Sequence, residues 1–468
     1  MVFSSPLFIF VFLPLVWAGY QTIAAWRSSR ALVIWLAVAS CVFYAAWDYW
    51  LLSVLLSSIC INHAVARRLQ VSPSRAWLWL GVAFNLGMLG YFKYRVFALS
   101  LYEGSLAPLE TLVLPLGISF FTFQQIAFLV DVNRRLTRVS GFIDYLLFVS
   151  FFPQLIAGPI VHHRELAPQL AILKRPSVRQ VQAGLLLFAI GLTKKLLVAD
   201  QLAPFVDHLF AKDGSQLVAG DTLLAGWAYG MQLYFDFSGY ADMAIGLGLM
   251  FGVRLPANFD SPYKATSIQD FWRRWHITLS TFLRDYLYIP LGGNRHGLPL
   301  QLLALLVTML LGGLWHGAGW QFVVWGGLHG LALGLYVLWR RRVPYRLPSW
   351  AGWGVTFVLV MLAWVPFRAE DISQMVAFYS ALGTPGLGAA SSVLGLTPSD
   401  PMVLAQPGLL LLFATVVAVA FPNTRQILEK LHDDRLGAVR GLIVGVAIVA
   451  CAKTMIDVPT QAFLYFNF

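Results

Sequence analysis

Leu311-Gly-Gly-Leu-Trp-His316-Gly317 closes an apolar run at 299–318 and places an imidazole inside it. A second histidine ends Phe271-Trp-Arg-Arg-Trp-His276, where another apolar run, 276–291, begins. A charged side chain at the centre of a membrane helix costs roughly 2.5–3.5 kcal/mol on insertion scales. Arg273, Arg274, His276, Arg284, Asp285 and His316 nevertheless fall in one short part of the chain. Ionisable groups at membrane depth mark polar pathways and sites.

The rest of the chain supplies the membrane. Of 468 residues, 58% are hydrophobic and only 12% charged, against about 25% charged in soluble domains. Apolar runs lie near 5–24, 31–47, 49–65, 76–96, 112–130, 142–161, 180–199 and 221–252. They continue at 276–291, 299–318, 320–339, 351–368, 407–421 and 439–456. A crossing takes about 20 apolar residues, and lipid requires each segment to satisfy its own backbone, which helices do. These runs are too long for the alternating strands of a membrane barrel. The expected fold is an all-α integral membrane protein, one polytopic domain over 1–468, with roughly 10–13 full or partial crossings. No internal repeat is visible. The Gly/Pro/Ser-rich stretch at 383–401 reads as a loop.

The net charge of +11 does not indicate nucleic acid. The basic residues sit in short loops between apolar runs, as the positive-inside rule describes. Arg27 and Arg30 follow the first run, Arg67, Arg68 and Arg75 the third, and Arg134, Arg135 and Arg138 the fifth. Glu103 and Glu110 lie in an intervening loop, so the N-terminus is expected outside. Run 142–161 breaks this alternation, because Arg164, Lys174, Arg175 and Arg179 make a second basic loop directly after it. With Phe152-Pro153 and Ala157-Gly158-Pro159 inside it, the segment is expected to be re-entrant. The N-terminal run has no positive leader region, so it is expected to be a retained span. Cys41, Cys60 and Cys451 form no CxxC pair and are expected to be small buried residues, with no metal site.

Two carboxylates interrupt the run Gln232-Leu-Tyr-Phe-Asp236-Phe-Ser238-Gly-Tyr240-Ala-Asp242. At helical spacing Ser238 and Asp242 share one face, and Gln232, Asp236 and Tyr240 another. Two readings fit: a polar network between packed helices, or contact with a substrate. In 271–295 the spacing puts Arg273, His276 and Ser280 on one face, continued by Arg284. That face reads either as an interfacial anchor or as a cationic approach for an anionic carrier. His316, beside Trp315 and behind Gly312-Gly313, reads as a general base or as a packing residue. Its small neighbours admit a substrate or another helix. His329 repeats the glycine-flanked setting and reads mainly as structural. GxSxG, HExxH, Walker A and GxGxxG motifs are absent.

These motifs, in this order, resemble those of the membrane-bound O-acyltransferase (MBOAT) family, in its bacterial alginate O-acetyltransferase branch. The resemblance runs from Met1-Val-Phe-Ser-Ser through Val113-Leu-Pro-Leu-Gly-Ile-Ser-Phe-Phe-Thr-Phe and Leu233-Tyr-Phe-Asp-Phe-Ser-Gly-Tyr. It then takes in Phe271-Trp-Arg-Arg-Trp-His, Gly312-Gly-Leu-Trp-His-Gly and the tail Phe463-Leu-Tyr-Phe-Asn-Phe. It implies a ring of tilted helices with re-entrant segments around a central funnel and a thin partition, with a core over about 110–370. His316 would be catalytic and His276 close by and important. Arg273, Arg284, Asp236, Ser238, Tyr240, Asp242 and Trp315 are candidate contacts to donor or substrate.

The resemblance further implies an acyl donor reached from the cytoplasm, acetyl-CoA, and an exported polysaccharide acceptor such as alginate or cellulose. No permanently bound cofactor is expected. Expected partners are the bilayer of a bacterial inner membrane, a periplasmic acetyltransferase subunit and a polysaccharide export complex. Peptidoglycan O-acetylation and D-alanyl transfer to teichoic acid share the same motifs. A transporter is the alternative from another class, weakened by the lack of an inverted repeat.

Overall fold

The computed structural model describes residues 1–103, 113–393, 401–430, 437–457, 461, 463 and 464, and among them every regular element is a helix. A π-turn at Phe8–Phe12 leads into α1 (Leu13–Ala25), which pairs with α2 (Ser29–Ala45). Asp48 caps α3 (Tyr49–Val71) by accepting from the Trp50 and Leu51 amides, and Ser74 caps α4 (Arg75–Leu89). A π-turn, Gly90–Tyr94, joins α4 to α5 (Arg95–Glu103). Helix α6 (Ile118–Asn133) is buried on nearly every side, so it lies inside the protein rather than against lipid.

Run 142–161 forms no span. Helix α7 (Phe142–Ser150) is nine residues, roughly 13 Å. It stops at Phe151, and α8 (Phe152–Leu155) is a single turn that accepts Pro153 in its first positions. From Phe151 to His163 every residue is buried, much of it as irregular backbone. Such backbone is tolerated at membrane depth only when covered by protein. Two short helices with a break at Phe151 are too short to cross a bilayer as one straight helix. Helix α9 (His163–Ala171) follows.

The centre is α12 (Ala219–Met250), 32 residues or about 48 Å, most of it buried. Against it pack α10 (Val178–Thr193), a π-turn at Lys194–Ala199, and α11 (Asp200–Phe210). Glycines set the approach: a Cβ on Gly184 would lie 2.6 Å from the Gly246 carbonyl oxygen. Two short helices, α13 (Ile268–Arg274) and α14 (Ile277–Leu283), precede a hairpin of α15 (Leu298–His316) and α16 (Trp320–Arg342). Then come α17 (Ser349–Arg368), α18 (Ile372–Ala381), α19 (Ala389–Val393), α20 (Pro401–Ala420), α21 (Thr424–Lys430) and α22 (Gly437–Asp457).

Among the described residues, six helices are long and apolar enough to cross a membrane, and three shorter apolar helices join them: Ser29–Ala45, Pro407–Ala420 and Val444–Met455. Runs 112–130 and 142–161 are not among them, since they form an interior helix and a broken one. Stretch 383–401 is partly helical through α19, and 394–400 lies outside the described residues. The expectation of three small buried cysteines holds only in part. Cys451 is buried and Cys41 half-buried, but Cys60 is exposed on the outer side of α3.

Candidate functional site

His316 is the last residue of α15 and is 3% exposed. The helix stops there because Gly317 is extended, and Ala318-Gly319 turn the chain into α16. The glycines around it admit a helix, not a substrate. A Cβ on Gly313 would strike the Phe322 carbonyl, and one on Gly326 the Met309 carbonyl. The imidazole is walled by Trp315 and Trp325, both at 4.9 Å between ring centroids, and by Phe367 at 5.1 Å.

His276 is fully buried and sits at the break between α13 and α14, in the left-handed region at φ +42°. A bulky residue there costs about 1–3 kcal/mol unless its surroundings hold it. Asn258 holds it. Its main-chain oxygen accepts from the Ile277 amide at 2.9 Å. Its side-chain oxygen accepts from the Thr278 amide at 3.3 Å and the Thr278 hydroxyl at 2.9 Å. The same Oδ1 meets His276 Nδ1 at 3.1 Å. An atom that accepts from a main-chain N–H is an oxygen, so Nδ1 carries the proton and Nε2 is the basic nitrogen of the neutral ring. Asn258→Ala is expected to destabilise the protein by roughly 1–3 kcal/mol, read as thermal unfolding in detergent. Stability equal to wild type would mean that His276 keeps its conformation without Asn258.

Two cavities approach this pair. A cavity of about 60 Å³ is lined by His316, Trp315, Lys93, Ser119 and Phe120, with the 114–118 loop. A larger one of about 610 Å³ is lined by Asn258, Ser238, Asp242, Lys194, Arg254 and Arg425. Trp315 and Phe120, on the small cavity, lie 6.4 and 6.5 Å from the His276 ring. Asn258, on the large cavity, is bonded to His276. His276 itself lines neither cavity but touches wall residues of both, which places it in the partition between them.

The candidate residues divide accordingly. His276, Trp315 and His316 come together, and His276 lies within electrostatic range of His316. Ser238 and Asp242 share a face, as their spacing predicts, and both line the large cavity. Asp242 binds Lys194 at 2.6 Å and the Thr424 hydroxyl at 2.7 Å. Asp236 faces away and pairs with Lys195 at 2.7 Å. Tyr240 stacks between Phe3 at 4.7 Å and Phe463 at 4.6 Å, apart from both cavities.

The shared face of Arg273, His276, Ser280 and Arg284 is not formed. The helix breaks at Trp275-His276, which rotates α14 relative to α13. Arg273 is exposed, and Arg284, also exposed, binds its neighbour Asp285 at 2.7 Å. His329 accepts from Trp272 Nε1 at 3.2 Å within an aromatic cluster with Trp325 and Trp364, a packing role.

Three groups escape the motif reading. Lys93 and the pair Lys194-Lys195 are cations inside apolar runs, a signal open to sequence inspection. Asn258 lies in an ordinary-looking loop and carries no signal in one sequence.

The sequence model of MBOAT, the membrane-bound O-acyltransferase family, matches residues 110–368. The peptidoglycan O-acetyltransferase of Helicobacter pylori is 44% identical over 413 residues, covering 80% of this chain and 78% of that protein. A probable alginate O-acetylase AlgI of Azotobacter vinelandii is 38% identical over 482 aligned residues, covering 99% of this chain and 94% of that protein. The teichoic acid D-alanyltransferase of Bacillus subtilis is 28% identical over 256 residues, 52% of this chain and 64% of that protein. The chain, an all-α membrane protein with His276 and His316 buried in its interior, belongs to the membrane-bound O-acyltransferase family.

Proposed function

We propose that this O-acyltransferase takes an acetyl group from acetyl-CoA on the cytoplasmic face of a bacterial inner membrane and delivers it outward for O-acetylation of an exported polysaccharide. The observation that carries this reading is the partition: His316 lines the small cavity, and His276 is held by Asn258, a residue of the large one. The large cavity suits the donor. Gln169, before the basic stretch 174–179, bonds both the amide and the carbonyl of Arg254 at its edge. That loop is cytoplasmic by its charge. Lys194 is matched by Asp242 and Arg425 by Glu429, whereas Arg254 has no ion-pair partner among the described residues. Arg254 is thus the cation available to a phosphate of the donor.

In this reading His316 removes the proton from the attacking hydroxyl as that oxygen bonds to the acetyl carbon, and CoA leaves as the thiolate. His276, oriented by Asn258, supports the developing oxyanion or the donor thioester. The small cavity supports a handover to a partner subunit. Its lining beside His316 combines Lys93, Ser119 and the rings of Trp315 and Phe120 around about 60 Å³. A hydroxyl-bearing side chain of a periplasmic transferase fits such a space. Both alginate-type and peptidoglycan acceptors stay in view, the latter because the Helicobacter pylori relative is 44% identical over most of its length.

The test is acetyl-CoA turnover by purified protein in liposomes. Wild type is expected to release CoA, and Arg254→Ala to raise the donor KM about three- to tenfold, a charge-assisted contact discounted for its exposure. A wild-type protein that ignores acetyl-CoA but consumes a carrier-bound acyl group overturns the donor. An unchanged KM in Arg254→Ala overturns the placement of the donor cavity.

A further inference from the structure

We propose that Lys93 is a positioning residue for His316, an inference that rests on the function proposed above. The last carbonyls of a helix lack intrahelical partners and need donors from elsewhere. At the end of α15 those donors come from one π-turn. Tyr94 OH donates to the Leu314 carbonyl at 2.6 Å. Lys93 Nζ donates to the Trp315 carbonyl at 2.6 Å and to the His316 carbonyl at 3.0 Å. Its third N–H goes to Ser119 Oγ at 3.3 Å. The ammonium has three donors and all three are used on neutral oxygens. No carboxylate pairs with it among the described residues.

A neutral donor would cap the helix with less desolvation than a cation does, so capping alone does not account for a lysine here. Two further observations tie it to the site. Lys93 lines the same 60 Å³ cavity as His316. It also stands 5.9 Å from the centre of the Trp315 ring, which forms part of the partition. The π-turn is what aims Lys93 and Tyr94 together at the helix end, and such one-turn insertions collect at functional sites. Lys93 therefore fixes the backbone from which the His316 side chain projects. A displacement of about 1 Å at a catalytic group costs on the order of a hundredfold in rate. Neither Lys93 nor the end of α15 lines the larger cavity assigned to the donor, so donor binding is untouched.

The experiment compares wild type, Lys93→Met, Lys93→Arg, Tyr94→Phe and His316→Ala in liposomes. It reads kcat and KM for acetyl-CoA per inserted molecule, together with hydrogen exchange of the 310–319 amides. Lys93→Met is expected to lower kcat about 10- to 100-fold, with the donor KM unchanged and faster exchange at 314–319. Lys93→Arg, which can donate to the same carbonyls, recovers most of the rate. A purely structural lysine gives reduced abundance with wild-type kcat in the protein that remains, and that result overturns the proposal. Should Lys93→Met not insert, Tyr94→Phe decides: a lowered kcat at constant KM supports it, and an unchanged kcat sinks it. If wild type does not use acetyl-CoA, the donor assignment fails by itself and the exchange readout still judges Lys93, with unchanged exchange counting against it. A Lys93→Met protein as active as wild type beside an inactive His316→Ala removes this inference alone.

Discussion

His316→Ala is expected to lower acyl transfer about 10²- to 10⁴-fold, the usual loss when a general base is removed. Some structural cost accompanies it. The imidazole is walled by Trp315, Trp325 and Phe367 and is 3% exposed. Truncation leaves a cavity worth roughly 1–2 kcal/mol, so abundance falls modestly and the rate falls far more. His316→Gln fills the space better and separates the two effects: it should restore abundance and leave the rate near that of the alanine variant. The measurement is CoA release, or acetate on polymer, per membrane-inserted molecule. Near-wild-type transfer per molecule in both variants would take His316 out of the mechanism. A rate restored by glutamine would assign it a packing role.

The contrast between His316 and His276 shows what one sequence reveals of such a site. His316 is legible because its neighbours are. Gly312-Gly313 and Gly317 announce a helix end and a close approach, and the α15–α16 hairpin delivers both. His276 is legible as a residue but not as a geometry. Helical spacing puts it in line with Arg273 and Arg284, yet its backbone turns left-handed. That state survives only because Asn258, 18 residues earlier, supplies both a main-chain and a side-chain acceptor. Local periodicity carries no trace of a contact made by tertiary structure. The face of Ser238 and Asp242 is read correctly, because α12 runs unbroken for 32 residues and the period holds throughout. The π-turns at Gly90–Tyr94 and Lys194–Ala199 are the opposite case. Each inserts an extra residue into an apolar helix and redirects a lysine that a regular period would place elsewhere.

Lys195→Met is expected to deplete the protein from the membrane without impairing the molecules that remain. Lys195 Nζ lies 2.8 Å from Asp200 and 2.7 Å from Asp236, and the three side chains are 5%, 8% and 1% exposed. One ammonium thus serves two buried carboxylates. The network also holds the C-terminal segment, since the Leu464 amide donates to Asp236 at 2.9 Å. Methionine keeps most of the volume but leaves both carboxylates without a cation. Removing one partner of such a buried ion pair typically costs about 3–5 kcal/mol, a large part of the stability of an ordinary domain. The same principle predicts a rescue. With Asp200→Asn and Asp236→Asn added, no uncompensated charge is left, and abundance should return most of the way although the ion pairs are gone. Membrane abundance and thermal unfolding in detergent measure both steps, and turnover per molecule should hold near wild type because Asp236 faces away from both cavities. A Lys195→Met protein of normal abundance would show that the carboxylates find other partners. A triple variant as depleted as the single one would show that it is the ion pairs themselves, and not the avoidance of bare charge, that hold α11, α12 and the C-terminal segment together.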